Sequence, residues 1–246
     1  MTLASLGDSD GRRGAQIWPE WLDKRLVLFD IDGTLLRCGR QVGPIFFESM
    51  EAVFGTRGAW QGYQFSGKTD PQIVTELLGP VGHEVEDVVP RLGDMQSVYL
   101  PRLEQELDPG QMLLLPGVVE LLEHLEDCDD THLGLLTGNW ERGARAKLSH
   151  FDLNRYFEFG AFGDDGICRT ELPPAALRKA ENQLGRSFAP EEVLIVGDTE
   201  NDVRCAKAHG IQCLGVATGF VSTEALHAAG ADWVVGALDQ LDELAG

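Results

Sequence analysis

Short apolar runs alternate with amphipathic stretches along most of this chain. The apolar runs predict buried strands at 26–29, 132–136, 157–162, 193–196, 213–217 and 233–235. Apolar residues at helical spacing predict helices at 118–125, 141–149, 174–184, 202–208, 223–229 and 238–244. Such an alternation predicts an α/β fold, with a doubly wound parallel sheet of the Rossmann-like kind.

The segment between the first two predicted strands follows a different pattern. It lacks a strong strand signal, and helical spacing predicts helices at 44–54, 71–78 and 84–107. Pro90 and Pro101 are expected to break the last of these helices. We therefore expect residues 40–112 to form an inserted helical cap domain that overhangs the end of the first strand. The core domain is then expected to comprise residues 22–39 and 113–246, after a flexible amino-terminal arm over residues 1–21.

The net charge limits the binding partners that the protein can have, and the cysteines indicate its cellular compartment. A formal charge of −20 argues against binding to nucleic acid or to anionic lipid, because both need clustered Lys and Arg. The chain has 5 scattered cysteines without a Cys-x-x-Cys pair, which is typical of free thiols in a reducing compartment. No apolar stretch reaches membrane-spanning length and no signal-peptide core is visible, so we expect a cytoplasmic protein.

Polar side chains follow the first predicted strand directly. Asp30 and Asp32 lie close enough to share one site, and two such carboxylates repel unless a cation or a proton lies between them. Gly33 permits a sharp turn and the Thr34 hydroxyl can fix it. A plain turn is the alternative interpretation. Since ligands bind at the carboxyl ends of parallel strands, we expect a functional site there.

Two other predicted strands end in the same way. Thr137 and Gly138 follow the second strand and precede a helix, which is suited to holding an anion, although such a pair is also common in simple turns. Asp198 and Asp202 follow the fourth strand and lie four positions apart, so both can face one site if a helix begins between them. Helix capping by Asp198 is the alternative.

These strand ends together resemble a known family. Residues 30–35, Asp-Ile-Asp-Gly-Thr-Leu, resemble the first motif of the haloacid dehalogenase-like (HAD) superfamily in its phosphatase and phosphomutase branch. Residues 135–139 are similar to the second motif, and Gly-Asp-x-x-x-Asp at 197–202 is similar to the fourth. The predicted inserted helices resemble the helical (C1) cap of phosphoglycolate phosphatase-like and β-phosphoglucomutase-like members.

The resemblance implies roles for individual residues. Asp30 would be the nucleophile and Asp32 the general acid/base. Mg²⁺ would be held by Asp30, by the backbone carbonyl of Asp32 and by Asp198, with Asp202 supporting the metal site from behind. Thr137 and Gly138 would bind the transferring phosphoryl group.

The chain departs from the family at the third motif, which is usually Lys-Pro after the third strand. No Lys-Pro occurs here. Arg169 is the candidate for the missing cation, because it follows the third predicted strand and precedes a helix. Arg178 and Lys179 are alternatives inside that helix. An arginine could hold two oxygens bidentately, which a lysine cannot.

The predicted cap contributes a candidate substrate residue. Residues 66–71, Ser-Gly-Lys-Thr-Asp-Pro, resemble a Gly-Arg/Lys-Thr-Asp segment of phosphoglycolate phosphatase-like relatives, in which Lys68 would contact the substrate. The alternative is a helix start with Asp70 as its cap. Arg37 and Arg40 could also line the entrance.

The resemblance favours a Mg²⁺-dependent phosphatase that hydrolyses a small phosphate monoester, of the phosphoglycolate or sugar phosphate type, through an aspartyl-phosphate. Asp32 favours phosphate esters over haloacids, because a leaving halide needs no proton. A β-phosphoglucomutase-like mutase and a non-catalytic HAD-fold binding protein are the alternatives. The expected partner is a small phosphorylated metabolite, and a monomer and a dimer both remain open.

Overall fold

The structure, a computed structural model, describes residues 24–244, and the arm predicted over residues 1–21 lies outside them. Most strands of the described chain form a six-stranded parallel sheet in the order β5-β4-β1-β6-β7-β8. The strands are β1 (Leu26–Phe29), β2 (Leu36–Arg37), β3 (Leu113–Leu114), β4 (His132–Leu136), β5 (Phe159–Ala161), β6 (Val193–Gly197), β7 (Gln212–Val216) and β8 (Trp233–Val235). The predicted α/β fold with a parallel sheet is confirmed.

Strand β1 lies at the centre of this sheet and is covered on both faces. Leu26 and Leu28 pack in one apolar cluster, whereas Val27 and Phe29 pack in the other. Complete burial on both faces explains why this strand is a continuous apolar run rather than an alternating one. Because the neighbouring strands β4 and β6 run parallel to β1, their carboxyl ends meet at the same edge.

The helices agree with the predicted pattern, with shifts of a few residues at their ends. The α-helices among the described residues are α1 (Val42–Phe54), α2 (Asp70–Leu78), α3 (Val85–Val88), α4 (Leu92–Glu106), α5 (Val118–Glu126), α6 (Glu141–Ser149), α7 (Leu172–Leu184), α8 (Glu200–Ala208) and α9 (Thr223–Ala229). Pro90 lies in a 3₁₀ turn between α3 and α4, as expected of a helix breaker. Pro101 lies inside α4 without ending it.

Two predicted elements differ from the structure. The helix predicted over residues 238–244 is a 3₁₀ segment with a non-helical Gln240, and its buried Leu238 and Leu241 lie three positions apart, as the 3₁₀ turn requires. The strand predicted over residues 157–162 is limited to Phe159–Ala161, because β5 lies at the sheet edge and pairs only with β4.

Helices α1–α4 follow β2 and precede β3. These two short strands pair in antiparallel fashion, with Leu36 opposite Leu114, so the chain leaves and returns at adjacent points. Helices α1 and α4 pack together through Phe46 and Tyr99, whose ring centroids are 5.0 Å apart. Between residues 24 and 244, the search for a helix with the length and apolar character of a membrane crossing finds none.

Candidate active site

Three aspartates meet at the carboxyl edge of the sheet. Asp30 follows β1 and Asp198 follows β6, which pair as far as Phe29 and Val196. Asp202 lies in the first turn of α8. One carboxylate oxygen from each aspartate lies within 4.8 Å of the others, and all three side chains are buried. We call Asp30, Asp198 and Asp202 the acidic cluster.

The local sequence fixes the position of Asp198. Gly33 has a φ of 91°, and a Cβ at this position would overlap the Asp198 carboxylate, so only glycine fits. The Thr34 hydroxyl donates to Asp198 Oδ1 at 3.2 Å. The polar residues that follow β1 therefore support the acid that follows β6.

Asp202 is held from both sides. Its Oδ2 accepts the backbone N–H of Thr199 at 3.0 Å and the Thr199 hydroxyl at 2.6 Å, while its Oδ1 pairs with Arg169. Thr199, not Asp198, is the N-cap of α8, so the capping alternative for Asp198 is wrong. Both oxygens of Asp202 thus have partners within the protein.

Arg169 is the cation of this cluster. It is buried, and its Nη2 lies 3.1 Å from Asp30 Oδ1 and also pairs with Asp202. The same nitrogen donates to the carbonyl of Leu136 at the end of β4, at 3.2 Å. The alternatives point elsewhere: Arg178 is exposed, and Lys179 pairs with Asp165 at 2.6 Å.

Burial and mutual repulsion raise the pKa of Asp30 and Asp198. Desolvation raises the pKa of Asp30 to about 6, Arg169 opposes this shift, and Asp202 and Asp32 add to it. Desolvation, followed by the charges of Asp30 and Asp202, raises the pKa of Asp198 well above its usual range. One guanidinium against three carboxylates leaves an excess of negative charge.

The donor set of the acidic cluster fits a divalent cation. Mg²⁺ prefers a few carboxylate oxygens and completes its shell with water and substrate oxygens. Because both oxygens of Asp202 have protein partners, Asp30 and Asp198 are the carboxylates best placed to bind such an ion directly. The supporting role of Asp202 and ligation by the Asp32 carbonyl both stay predictions.

Asp32 lies in different surroundings. Its carboxylate is 41% exposed and pairs with Lys147, whose Nζ lies 2.6 Å from Oδ2. Asn139 Nδ2 donates to the same oxygen at 2.7 Å, and Asn139 Oδ1 accepts from Lys147 at 2.6 Å. We call Asp32, Asn139 and Lys147 the Asp32 network.

Sequence reasoning missed Lys147, although a signal was present. Lys147 lies on α6 and shares its buried face with Ala144 and Leu148, at the i, i+3, i+4 spacing of an apolar stripe. A lysine in such a stripe is almost never fully buried without a partner. Lys147 is only 3% exposed in its side chain, and its partner is the second aspartate of the first motif.

Thr137 and Gly138 connect this network to the inserted helices. The Thr137 hydroxyl accepts from Asn139 Nδ2 at 2.8 Å. A Cβ at Gly138 would collide with the carbonyl of Lys68, and the Gly138 carbonyl accepts the N–H of Asp70 at 2.7 Å. Glycine at position 138 therefore allows the loop before α2 to lie directly on the loop after β4.

Asp70 itself is buried at this junction. Its Oδ2 accepts the backbone N–H of Trp140 at 2.9 Å, and burial raises its pKa to about 7. The helix start expected here is confirmed, but its cap is Thr69, whose hydroxyl accepts the N–H of Gln72 at 3.1 Å. Asp70 is thus a residue of the junction rather than a cap.

A cavity of about 610 Å³ opens above the carboxylates. The predicted site residues that line it are Asp30, Asp32, Lys68, Thr137, Gly138, Arg169 and Asp198. Arg37 and Arg40 also line it, whereas Asp202 lies behind the wall. The structure therefore gathers side chains from across the chain into one site, and their roles in catalysis stay predictions.

Lys68 lines this cavity with its charge already paired. Its Nζ lies 2.6 Å from Glu76 Oε2 and 4.2 Å from the centroid of the Tyr63 ring. Contact between Lys68 and a substrate remains a prediction.

Comparison with known proteins agrees with this fold and site. The chain is 31% identical to phosphoglycolate phosphatase 1 of Pseudomonas aeruginosa over 80% of this chain and 70% of that protein. It is 31% identical to the probable phosphatase IndB of Dickeya dadantii over 91% of this chain and 93% of that protein. The crystal structure of a hydrolase from Pseudomonas syringae matches with a TM-score of 0.66 and 22% identity, over 89% of this chain and 96% of that one, and this likeness concerns the fold alone.

A parallel sheet with buried acids at its carboxyl edge and a cavity above them defines an α/β protein with a ligand site at the strand ends. Residues 27–216 match the haloacid dehalogenase-like hydrolase family, and the chain belongs to that family.

Proposed function

We propose that this enzyme is a Mg²⁺-dependent phosphatase that hydrolyses a small phosphate monoester through an aspartyl-phosphate. The observation that carries the proposal is the pairing of two unlike carboxylates two residues apart. Asp30 belongs to a buried cluster with excess negative charge, whereas Asp32 faces the cavity and is held by Lys147. The names of the relatives make phosphoglycolate the first compound to assay, and sugar phosphates follow because the first motif also resembles that of phosphomutases.

Asp30 is the nucleophile in this proposal. Its carboxylate attacks phosphorus in line, the bond to the alcohol oxygen breaks, and an acyl phosphate forms on Asp30. Asp32 gives its proton to the departing alcohol oxygen. Asp32 then takes a proton from water, the resulting hydroxide attacks phosphorus, and inorganic phosphate leaves as the Asp30 carboxylate is restored.

The other residues position and screen these groups. Arg169, 3.1 Å from Asp30, reduces the repulsion between the nucleophile and the phosphate dianion. Thr137 and Gly138 hold the phosphoryl oxygens at the end of β4. Lys147 and Asn139 orient the Asp32 carboxylate toward the cavity. Mg²⁺ held by Asp30, Asp198 and the Asp32 carbonyl would supply positive charge at the phosphate oxygens.

We further propose that helices α1–α4 act as the cap. They supply part of the cavity wall, and the loop before α2 lies on Gly138. Residues 40–112 would then be the cap domain, with residues 22–39 and 113–246 as the core. A cap in this position excludes water from the reacting phosphate until the alcohol has left.

Phosphate release from a panel of monoesters tests the proposal. The panel contains phosphoglycolate, sugar phosphates and 4-nitrophenyl phosphate, each assayed with Mg²⁺ and with a chelator. We expect turnover with Mg²⁺ only, and none from Asp30→Asn. Conversion of β-glucose 1-phosphate to the 6-phosphate without phosphate release would favour a mutase. No turnover of any compound by the intact chain would contradict the proposal.

A further inference from the structure

The cavity has two unlike walls. The edge of the sheet supplies the carboxylates and their cations, as described above. The inserted segment supplies the polar side chains of Arg40, Ser66, Lys68 and Asp70 and a group of apolar and aromatic side chains. We call this second group the apolar wall: Val42 and Phe46 from α1, Phe65 from the loop before α2, Ile73 from α2, and Tyr99 from α4. A phosphate monoester also has two unlike parts, and its alcohol part must lie beyond the phosphate site, against this wall.

We infer that the alcohol part of the substrate carries an apolar ring that packs on the apolar wall and on Phe220. The inference rests on the proposed phosphatase function and specifies its substrate class. It differs from what a two-carbon carboxylate such as phosphoglycolate would require, because that alcohol part needs a cation rather than an apolar surface.

The cations along the cavity have partners within the protein. Lys68 pairs with Glu76 at 2.6 Å, and Arg37 donates to the backbone carbonyl of Thr218. Lys147 pairs with Asp32 at 2.6 Å. Lys68 and Lys147 already pair with carboxylates, so a substrate carboxylate would have to compete for one of them or rely on the exposed Arg37 and Arg40, whereas an apolar ring needs neither.

The exposure of Phe220 is the second observation that supports an apolar ring in the substrate. It lines the cavity from the loop after β7, yet it is 96% exposed. Phe65 lines the same cavity from the loop before α2 and is 37% exposed. Aromatic rings pair favourably with other rings and with apolar groups when they leave water. A ring in the substrate would give Phe220 an aromatic partner and would extend the cluster that Phe65 already forms with Phe47 and Tyr63.

The size of the cavity agrees with this assignment. Its volume of about 610 Å³ lies within the ~300–1,000 Å³ that is typical of pockets for drug-sized ligands. Such pockets are lined mainly by apolar and aromatic side chains with a few polar groups that fix orientation. The charged groups at the sheet edge would fix the phosphate, and the apolar wall would select the alcohol.

A pair of substrates with the same reacting end tests the inference. 2-Phenylethyl phosphate and ethyl phosphate are both esters of primary alcohols and differ by one ring. We expect kcat/KM with Mg²⁺ to be about tenfold or more higher for the phenylethyl ester, since burying the ring removes apolar surface from water. Phosphoglycolate, assayed beside them, is expected to be a poorer substrate than the phenylethyl ester.

The variant Phe220→Ala tests whether the Phe220 ring contributes to the preference for 2-phenylethyl phosphate over ethyl phosphate. Removing this ring should lower the ratio of the two kcat/KM values by about two- to tenfold, which corresponds to one aromatic contact. Phe65→Ala should lower the ratio in the same direction. Val85→Ala is the matched control, because Val85 is 50% exposed and does not line the cavity. The control should leave the ratio unchanged.

Binding without turnover separates this inference from the proposed function. 2-Phenylethylphosphonate and ethylphosphonate carry no cleavable ester, and their affinities can be measured by calorimetry. Tighter binding of the phenyl compound supports the ring site even if no monoester is hydrolysed. Equal affinities, a ratio unaffected by Phe220→Ala, or a higher kcat/KM for phosphoglycolate would overturn the inference.

Discussion

The acidic cluster and the Asp32 network lie side by side, but their charges are balanced differently. The acidic cluster has three buried carboxylates and one guanidinium, and the pKa of Asp198 is raised well above its usual range. The Asp32 network has one carboxylate and one ammonium, and the Asp32 side chain is 41% exposed. The first arrangement calls for another cation, whereas the second already has its own.

This difference explains how two aspartates two positions apart can perform different chemistry. Strand alternation would place positions 30 and 32 on the same face, but β1 ends at Phe29 and the chain then turns at Gly33, whose φ is 91°. Asp30 therefore meets Arg169 and the acids that follow β6, while Asp32 meets residues that follow β4. In the proposed mechanism, the same residue type acts as a nucleophile in one place and as a proton carrier in the other.

The largest expected effect comes from the same substitution at both aspartates. Asp30→Asn should lower kcat/KM by ~10⁴-fold or more, because no covalent intermediate can form. Asp32→Asn should cost about 10²–10³-fold with an alkyl phosphate and less with 4-nitrophenyl phosphate, because nitrophenolate leaves without a proton. Steady-state kinetics on both substrates measures this, with circular dichroism to verify folding. Equal losses at position 32 on both substrates would contradict the assignment of Asp32.

Removing each cation should affect stability unequally. Arg169→Met leaves Asp30 and Asp202 buried without a cation, which should lower the free energy of unfolding by about 3–5 kcal/mol. Lys147→Met leaves a half-exposed Asp32 that water can reach, so we expect a loss of about 1–2 kcal/mol. Urea unfolding with a chelator present measures both. A larger loss of unfolding free energy for Lys147→Met than for Arg169→Met would contradict the conclusion that the acidic cluster depends more strongly on its cation.

Mg²⁺ should stabilise the folded protein by binding to the acidic cluster and not to the carboxylate of the Asp32 network. Near saturation, Mg²⁺ should add about 2–3 kcal/mol to the free energy of unfolding, since it binds only the folded protein. Asp198→Asn should remove most of this gain. Asp32→Asn is the control, because it keeps the backbone carbonyl and should keep the gain. Thermal unfolding with and without Mg²⁺ measures this stabilisation in both variants. An equal loss in Asp198→Asn and Asp32→Asn would contradict the prediction that the Asp198 carboxylate binds Mg²⁺ and the Asp32 carboxylate does not.

Asp70 offers a third case, a buried carboxyl that accepts a backbone N–H. Its folded pKa of about 7 lies above the ordinary 3.8, so the folded protein keeps a proton that the unfolded chain has lost. The free energy of unfolding should therefore fall as the pH rises, by about 2 kcal/mol between pH 5 and pH 7. Asp70→Asn should remove this contribution and leave the part of the pH dependence that comes from the raised pKa values of Asp30 and Asp198.

The control for Asp70 is Asp94→Asn, at a carboxylate whose side chain is 67% exposed. This variant should keep the pH dependence of the natural protein. Urea unfolding across the pH range compares the three proteins. A pH dependence as large in Asp70→Asn as in the natural protein would show that Asp70 does not contribute to it.

The sequence allowed the sheet and the acidic cluster to be predicted for one physical reason. Parallel strands of a buried sheet end at a common edge, so the apolar runs predicted that Asp30 and Asp198 lie at the same edge, and the strand order of the structure makes them neighbours. Arg169 followed from its place between a strand and a helix. These inferences depend on topology and not on the direction of any particular side chain.

The Asp32 network could not be predicted in the same way. Lys147 lies 115 positions from Asp32, and their contact depends on how α6 is rotated about its axis. Asn139 was part of a recognised motif, but its three hydrogen bonds require the final positions of Thr137, Asp32 and Lys147. The partners of Lys68 and the pairing of Arg37 likewise depend on side-chain packing between distant segments.

The short antiparallel pair of β2 and β3 has a consequence for how such an enzyme can change. Leu36 lies opposite Leu114, so the segment between β2 and β3 leaves and rejoins the rest of the protein at adjacent points. A segment attached in this way can lengthen, shorten or be exchanged while the spacing of Asp30 and Asp198 stays the same. Grafting the corresponding segment from a relative would therefore transfer the choice of alcohol and leave the phosphate chemistry in place.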